Sequence, residues 1–251
     1  MLEVDDICAA LGHKTLFSHL SFRVSEGESW AIIGPNGSGK STLLSLVSGL
    51  RKPAEGSVRI HDEPITQMSQ KELAVRVGLL PQFEELNFWG NVSEYVRLGR
   101  FAHASTAWTV EDDDVVLDAL NQVDMKSMSH RLYRSLSGGE RQRARLASLI
   151  AQTPELFLWD EPLENLDYRA QAIFLSWVNR VIETKNHASM MVVHDINVVS
   201  HFFTHVLMIF GDGTVELGEK NEMLTIENLN RLYQTSFRRI EDQGQALFTP
   251  G

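Results

Sequence analysis

Nine consecutive residues, Gly34-Pro35-Asn36-Gly37-Ser38-Gly39-Lys40-Ser41-Thr42, combine the groups needed to hold a polyphosphate. Their spacing is that of a phosphate-binding loop, G-x-x-x-x-G-K-[ST]. Glycines let the backbone curl so that successive N–H groups converge, forming an anion nest at the start of a helix. Lys40 adds a point charge for the outer phosphates, and the Ser41 hydroxyl suits Mg²⁺, which demands oxygen ligands. Such a loop has to hang between a strand and a helix. Trp30-Ala31-Ile32-Ile33 before it and Leu43-Leu44-Ser45-Leu46-Val47 after it supply both. The stretch reads as a nucleotide site.

Two carboxylates, Asp160 and Glu161, follow a second apolar strand, Leu156-Phe157-Leu158-Trp159. An acidic turn after a strand is commonplace. Beside a phosphate loop it gains a use, because one carboxylate can hold Mg²⁺ through water while its neighbour polarises an attacking water. Leu136-Ser137-Gly138-Gly139-Glu140-Arg141-Gln142 opens a further helix, expected over 140–152, with Arg141, Arg143 and Arg145 among apolar residues. A serine and two glycines at a helix start make a second anion nest. Two cradles make sense in one chain when a second copy supplies the opposite half of each site.

The elements that must position these groups follow from periodicity. Strands are expected over 2–8, 20–24, 29–33, 57–60 and 77–80, with helices over 40–49 and 69–75. From about 81 to 153 the pattern is helical. In Val115–Val123 the apolar residues share one helical face behind the acidic run Glu111-Asp112-Asp113-Asp114, which reads as a helix cap rather than a metal site. Beyond Pro154 come strand 156–159, helix 168–184, strand 190–193, helix 196–203 and a hairpin of 206–210 with 214–217. Strands alternating with helices predict an α/β protein with a mostly parallel sheet and a helical block inserted into it.

Composition narrows the function. The chain has 251 residues, 43% hydrophobic, with a formal charge of −10 and no dense Lys/Arg tract. Affinity for nucleic acid comes mainly from neutralising phosphates, so no nucleic-acid partner is expected. A single cysteine, Cys8, excludes an internal disulfide and reads as a half-buried strand residue. The Met1-Leu2-Glu3-Val4-Asp5-Asp6 start lacks the pattern of a signal peptide, and no run of 18 apolar residues occurs.

With these motifs in hand, the chain resembles the ATP-binding-cassette (ABC) ATPases over about residues 2–240. Ser137-Gly138-Gly139 is similar to the family's signature sequence, with Glu140 where many members carry Gln. The resemblance implies a P-loop NTPase fold of the ABC type in one domain, 1–251. That fold has a mostly parallel core sheet, an antiparallel N-terminal β-subdomain and a helical subdomain inserted at about 83–153. It further implies that Gln82 contacts Mg²⁺ and the attacking water, that Asp160 is the strand-end metal aspartate, and that Glu161 is the catalytic glutamate. His194 matches the switch histidine, and Asn165-Leu166-Asp167 the loop that crosses a dimer interface. ATP and Mg²⁺ are the implied cofactors. A homodimer of ATPase subunits, a separate transmembrane permease and a substrate-binding protein are the implied partners, placing the chain at the cytoplasmic face of the membrane.

Some stretches depart from the family or narrow it. Leu11 stands where an aromatic residue usually stacks on adenine, with His13 and Phe17 as nearby substitutes, and Leu163-Glu164 replaces the more frequent Thr-Ser. The aromatics Phe83, Phe88, Trp89 and Tyr95 read first as core, with part of the cluster able to line a groove for a permease helix. Val96-Arg97-Leu98-Gly99-Arg100 and the tail segments 224–229, 232–233 and 237–240 resemble the importers of iron-siderophores, haem and vitamin B12. The alternatives are a soluble ABC ATPase of DNA repair or translation, which usually carries long coiled-coil insertions or two cassettes, and the ATPase subunit of an exporter.

Overall fold

The computed structural model describes residues 1–82, 88–104, 109–184, 187–242 and 245–251. Its framework is a six-stranded sheet ordered β10-β9-β3-β8-β7-β6. Here β3 is Ser29–Ile33, β6 Val77–Leu80, β7 Leu156–Asp160, β8 Ala188–Val192, β9 His205–Ile209 and β10 Val215–Glu219. All neighbours are parallel except β9 and β10, which form the expected hairpin. Strands β3, β7 and β8 are buried at every position, as a parallel sheet covered on both faces requires.

The period of two along each strand then assigns its residues to two cores. Ala31, Ile33, Phe157, Trp159, Met191, Val206 and Met208 face one hydrophobic cluster, packed by helices. Trp30, Ile32, Leu156, Leu158, Met190, Leu207 and Ile209 face another. That second cluster is closed by α1 (Lys40–Val47) and by a four-stranded antiparallel sheet, order β2-β1-β4-β5. Its strands are β1 (Leu2–Leu11), β2 (Lys14–Val24), β4 (Ser57–Ile60) and β5 (Glu63–Pro64). Strands β1 and β2 run longer than their alternation suggests, because irregularities in their register interrupt the period.

Between β6 and β7 the described residues are helical: α3 (Val92–Arg97), α4 (Val110–Gln122), α5 (Gly138–Gln152) and short 3-10 turns. Helix α2 (Gln70–Arg76) precedes β6. Capping boxes start all four of these helices, with the pairs Ser69/Glu72, Asn91/Glu94, Thr109/Asp112 and Ser137/Glu140. The acidic run is therefore a cap, and it also anchors arginines: Arg97 pairs with Asp113, and Arg100 Nε donates to Asp112 Oδ1 at 2.9 Å. After β7 come α6 (Tyr168–Glu183), α7 (Ile196–Phe202), α8 (Lys220–Met223) and α9 (Ile226–Tyr233). The tail is not helical throughout. Phe237–Asp242 (β11) pairs with Gln245–Pro250 (β12) as a separate hairpin.

Candidate active site

Strand β3 ends at Ile33 and α1 begins at Lys40, so residues 34–39 form the loop between them. Gly37 and Gly39 take left-handed φ values of 72° and 116°, which costs an L side chain energy and glycine nothing. Gly34 is required for another reason. A Cβ there would lie 2.3 Å from the Ile209 carbonyl oxygen of β9. Behind the loop, Tyr233 of α9 brings a buried hydroxyl against the Gly34 backbone, and burial pushes its phenol up to about 12.

Lys40 is only 6% exposed, and its Nζ donates to the carbonyls of Gly34 at 2.9 Å and Pro35 at 3.1 Å. Burial pulls the ammonium below its usual range, and the charges of Glu161 and Asp160 oppose that shift. Asp160, 6% exposed at the end of β7, has its carboxyl pushed up, first by burial, against a hydrogen bond with Ser41 and the charge of Lys40. Asp160 Oδ1 and Ser38 Oγ are both buried without a hydrogen-bond partner. Unpaired buried acceptors are costly, so two beside one phosphate loop mark a place built for something else. Oxygen donors from Ser41 and Asp160 fit Mg²⁺, which takes hydroxyl, carboxylate and water oxygens.

Glu161 sits at φ 54°, a backbone conformation uncommon outside glycine and concentrated at functional sites. The turn aims its carboxylate between two partners that the sequence places far away. Gln82 Nε2 donates to Oε2 at 2.7 Å, and His194 Nε2 lies 2.9 Å from Oε1. Glu161, Gln82 and His194 thus form one constellation, beside Lys40 and Asp160. Burial alone would raise the Glu161 carboxyl. Hydrogen bonds from Glu164 and His194, with the charges of His194 and Lys40, outweigh it and hold the group below its usual range. Glu164 moves the opposite way: its hydrogen bond to Glu161, burial and the Glu161 charge all raise it. The two carboxyls are thus shifted in opposite directions, Glu164 up and Glu161 down.

Ser137 caps α5 and, with Gly138, faces outward; its hydroxyl accepts from Glu140 N at 3.3 Å while Glu140 Oε2 accepts from Ser137 N at 2.7 Å. Glu140 is also paired with Arg131 at 2.9 Å. Gly139 admits the Asn165 carbonyl, which a Cβ would meet at 2.9 Å. Pro35, Asn36 and Thr42 lie in the loop and first turn of α1 as expected.

Sequence reasoning left Gln142, Arg145 and Glu164 without roles. Gln142, 6% exposed, donates from Nε2 to the Pro162 carbonyl at 2.9 Å and accepts from Arg145 Nη1 at 2.8 Å. Arg145 also reaches the Gln82 carbonyl at 3.4 Å and the Pro81 carbonyl. Helix α5 is thereby joined to both loops that hold the Glu161 constellation. The arginines of α5 were visible as charges on an otherwise apolar helix; their partners were not.

Other expectations need correction. Phe17 is 0% exposed within the second core, so it offers no face to a purine. Leu11 is 65% exposed and His13 exposed at the tip of the β1–β2 hairpin, while Lys14 Nζ donates to the Gly37 carbonyl at 3.2 Å. The aromatic cluster divides. Tyr95 is core and Phe88 packs edge-on against it, whereas Trp89 is 76% exposed with Arg134 over its ring; Phe83 lies outside the described residues. Gly99-Arg100 is a structural joint. A Cβ on Gly99 would meet the Ser148 carbonyl oxygen at 2.0 Å, and Arg100 Nη1 donates to the Ala151 carbonyl at 3.0 Å.

Comparison with known proteins places the chain in a family. Residues 17–164 match the ABC transporter family. The chain is 35% identical to the hemin import ATP-binding protein of Thermobifida fusca over 88% of its own length and 78% of the relative. It is 33% identical to the ferric enterobactin transport ATP-binding protein of Escherichia coli, over 96% and 90% of the two chains. Its fold superposes on a putative metal-chelate type ABC transporter in an inward-facing conformation, with a TM-score of 0.85 and 28% identity, covering 100% and 97% of the chains. A dimeric ATP-binding cassette in a post-hydrolysis state, bound to ADP and phosphate, matches with a TM-score of 0.78 and 26% identity over 88% and 99%. The chain therefore belongs to the ABC transporter family, as an ATP-binding and ATP-hydrolysing cassette of the P-loop ABC-ATPase fold.

Proposed function

We propose that this cassette is the ATPase subunit that powers a membrane importer of an iron chelate or haem. The observation that carries the hydrolytic reading is the Glu161 carboxylate, charged and gripped by Gln82 and His194 beside Lys40. The cargo class rests on the relatives, which are named for hemin and ferric enterobactin. No helix among the described residues is long and apolar enough to cross a membrane. The translocation path then belongs to a separate permease, with the cassette peripheral at its cytoplasmic face and a substrate-binding protein delivering the cargo.

In this reading two copies close head-to-tail around two ATP molecules. Residues 34–42 and Lys40 of one copy grip the β- and γ-phosphates, and the outward-facing Ser137-Gly138-Gly139 of the other covers the γ-phosphate. Ser41, Asp160 and Gln82 hold Mg²⁺, which when bound neutralises developing phosphate charge. Glu161 orients the attacking water and takes its proton, and His194 fixes the carboxylate's geometry. No covalent enzyme intermediate is involved, and catalysis is positioning plus electrostatics.

Cysteine pairs test the shared site. With Cys8 replaced by Ser, cysteines at exposed Asn36 and Gly138 should crosslink between chains when ATP is bound and hydrolysis blocked. Absence of an ATP-dependent intermolecular crosslink refutes the arrangement. Extraction together with a multispanning membrane protein tests the transport role.

A further inference from the structure

The β11–β12 hairpin sits on α7 through three hydrogen bonds. Asn197 Nδ2 donates to the Phe248 carbonyl at 3.1 Å, Phe248 N donates to Asn197 Oδ1 at 2.8 Å, and Ser200 Oγ donates to the Ala246 carbonyl at 3.2 Å. Between the hairpin, α7 and α8 lies a cavity of about 310 Å³ lined by Asn197, Ser200, His201, Lys220, Asn221 and Arg239. A smaller cavity of about 180 Å³ shares Ser200, Lys220, Asn221 and Arg239 with it.

The polar lining is one-sided. Two fixed cations and a histidine face the space, and no carboxylate does among the described residues. Lys220 is half-buried, and its ammonium has neither an ion pair nor a hydrogen bond among the described residues. Burial lowers its affinity for a proton, with no acidic neighbour opposing the shift. In a chain of net charge −10, this lysine is partly desolvated and makes no ion pair among the described residues. Among the described residues Arg239 is held only by Glu241, at 3.1 Å, and both side chains are more than half exposed. An exposed pair of this kind contributes little and gives way to a better-placed anion. Asn221 and His201 complete the polar lining.

We propose that this cavity binds a small multivalent oxyanion, with Lys220 and Arg239 as its charged contacts. The volume stands at the lower edge of small-molecule sites, which start at roughly 300 Å³, and suits a di- or tricarboxylate or a phosphate. The site is separate from residues 34–42. It borders α7, whose first residue, Ile196, follows His194 by two positions, so an occupant rests on the helix that begins just after the proposed switch histidine.

The test uses the full chain saturated with ADP, so that the phosphate loop is already filled, and titrates citrate and orthophosphate separately by calorimetry without Mg²⁺. The expected result is one site per chain for at least one probe, weakened about tenfold or more in Lys220→Met and further in Lys220→Met/Arg239→Gln, since charge-assisted contacts dominate such binding. Citrate alone binding identifies a carboxylate site; orthophosphate alone binding identifies a phosphate site. Thermal unfolding of each variant checks that the fold persists, and Lys220→Gln provides a second substitution should Lys220→Met fail to fold. No binding of either probe at about 10 mM, a free energy too small for a built site, or equal affinity in the double variant overturns the proposal.

Discussion

Glu161→Gln isolates the charge of the proposed base while keeping its shape. One oxygen of the native carboxylate meets Gln82 Nε2 at 2.7 Å and the other His194 Nε2 at 2.9 Å, with Glu164 hydrogen-bonded to the same group. An amide can satisfy both. Its oxygen accepts from Gln82, and its NH₂ donates to His194, whose Nε2 becomes an acceptor when the proton moves to Nδ1. The fold should therefore survive, and only basicity is lost. Positioned general bases contribute about 10²- to 10⁴-fold in rate, or about 2.7–5.5 kcal/mol of barrier. Phosphate release under saturating Mg-ATP should fall by that factor. Nucleotide affinity should hold or tighten, because one negative charge leaves the neighbourhood of the incoming phosphates and Lys40 loses a competing partner. Gel filtration with ATP should then show a persistent dimer. Turnover within about threefold of the native enzyme, far less than a lost base should cost, would refute the assignment of Glu161. A large loss of ATP affinity would show that the carboxylate has a structural duty instead.

Asp160→Asn separates stability from activity. Burial raises the native carboxyl above its unfolded value, so the native state binds more protons, and stability falls as pH rises from the unfolded pKa of about 3.9 through the native one. Without that charge, the nucleotide-free variant should melt at or above the native temperature at pH 7, with the gain shrinking toward pH 4, while Mg-ATP hydrolysis is lost; a lower melting temperature at pH 7 contradicts the reasoning. Leu11→Tyr should tighten ATP binding about two- to tenfold if the hairpin tip flanks adenine, given about 0.5–1.5 kcal/mol for aromatic stacking; unchanged affinity moves the base elsewhere. Gly99→Ala forces a methyl against the Ser148 carbonyl oxygen and should cost about 1–3 kcal/mol, lowering Tm by about 3–10 °C with little change in ATP affinity.

The groups proposed to hold phosphate were legible because their chemistry dictates local spacing. Residues 34–42 carry their strand and helix with them, and Asp160-Glu161 ends a strand that is apolar throughout. The pairing of β10 with β9 was legible from the Gly211-Asp212-Gly213 turn. What stayed hidden depends on contacts between distant elements. Phe17 lies on a strand whose register is irregular, so alternation did not show that it is buried. Gly99-Arg100 resembled a subfamily marker, and its physical reason emerged only when α5 was placed against it. The β11–β12 hairpin followed a segment read as helical tail, because six-residue strands leave too short a pattern to separate from a helix turn.

Glu164 shows how a departure from the family pattern can leave the chemistry in place. A second carboxylate beside a general base would ordinarily repel it and raise its pKa, spoiling its charge at neutral pH. Here the upward shift falls on Glu164, raised by its hydrogen bond to Glu161 and by burial, while Glu161 is held below its usual range. The same short loop, residues 162–165, also receives Gln142 at the Pro162 carbonyl and lays the Asn165 carbonyl against Gly139. A partner that presses on Ser137-Gly138-Gly139 therefore pushes on the loop that sets the Glu161–Glu164 contact, and through Arg145 on the backbone of Gln82 as well. Two packed routes from the outward-facing nest to one carboxylate give a physical basis for coupling closure of the pair to hydrolysis.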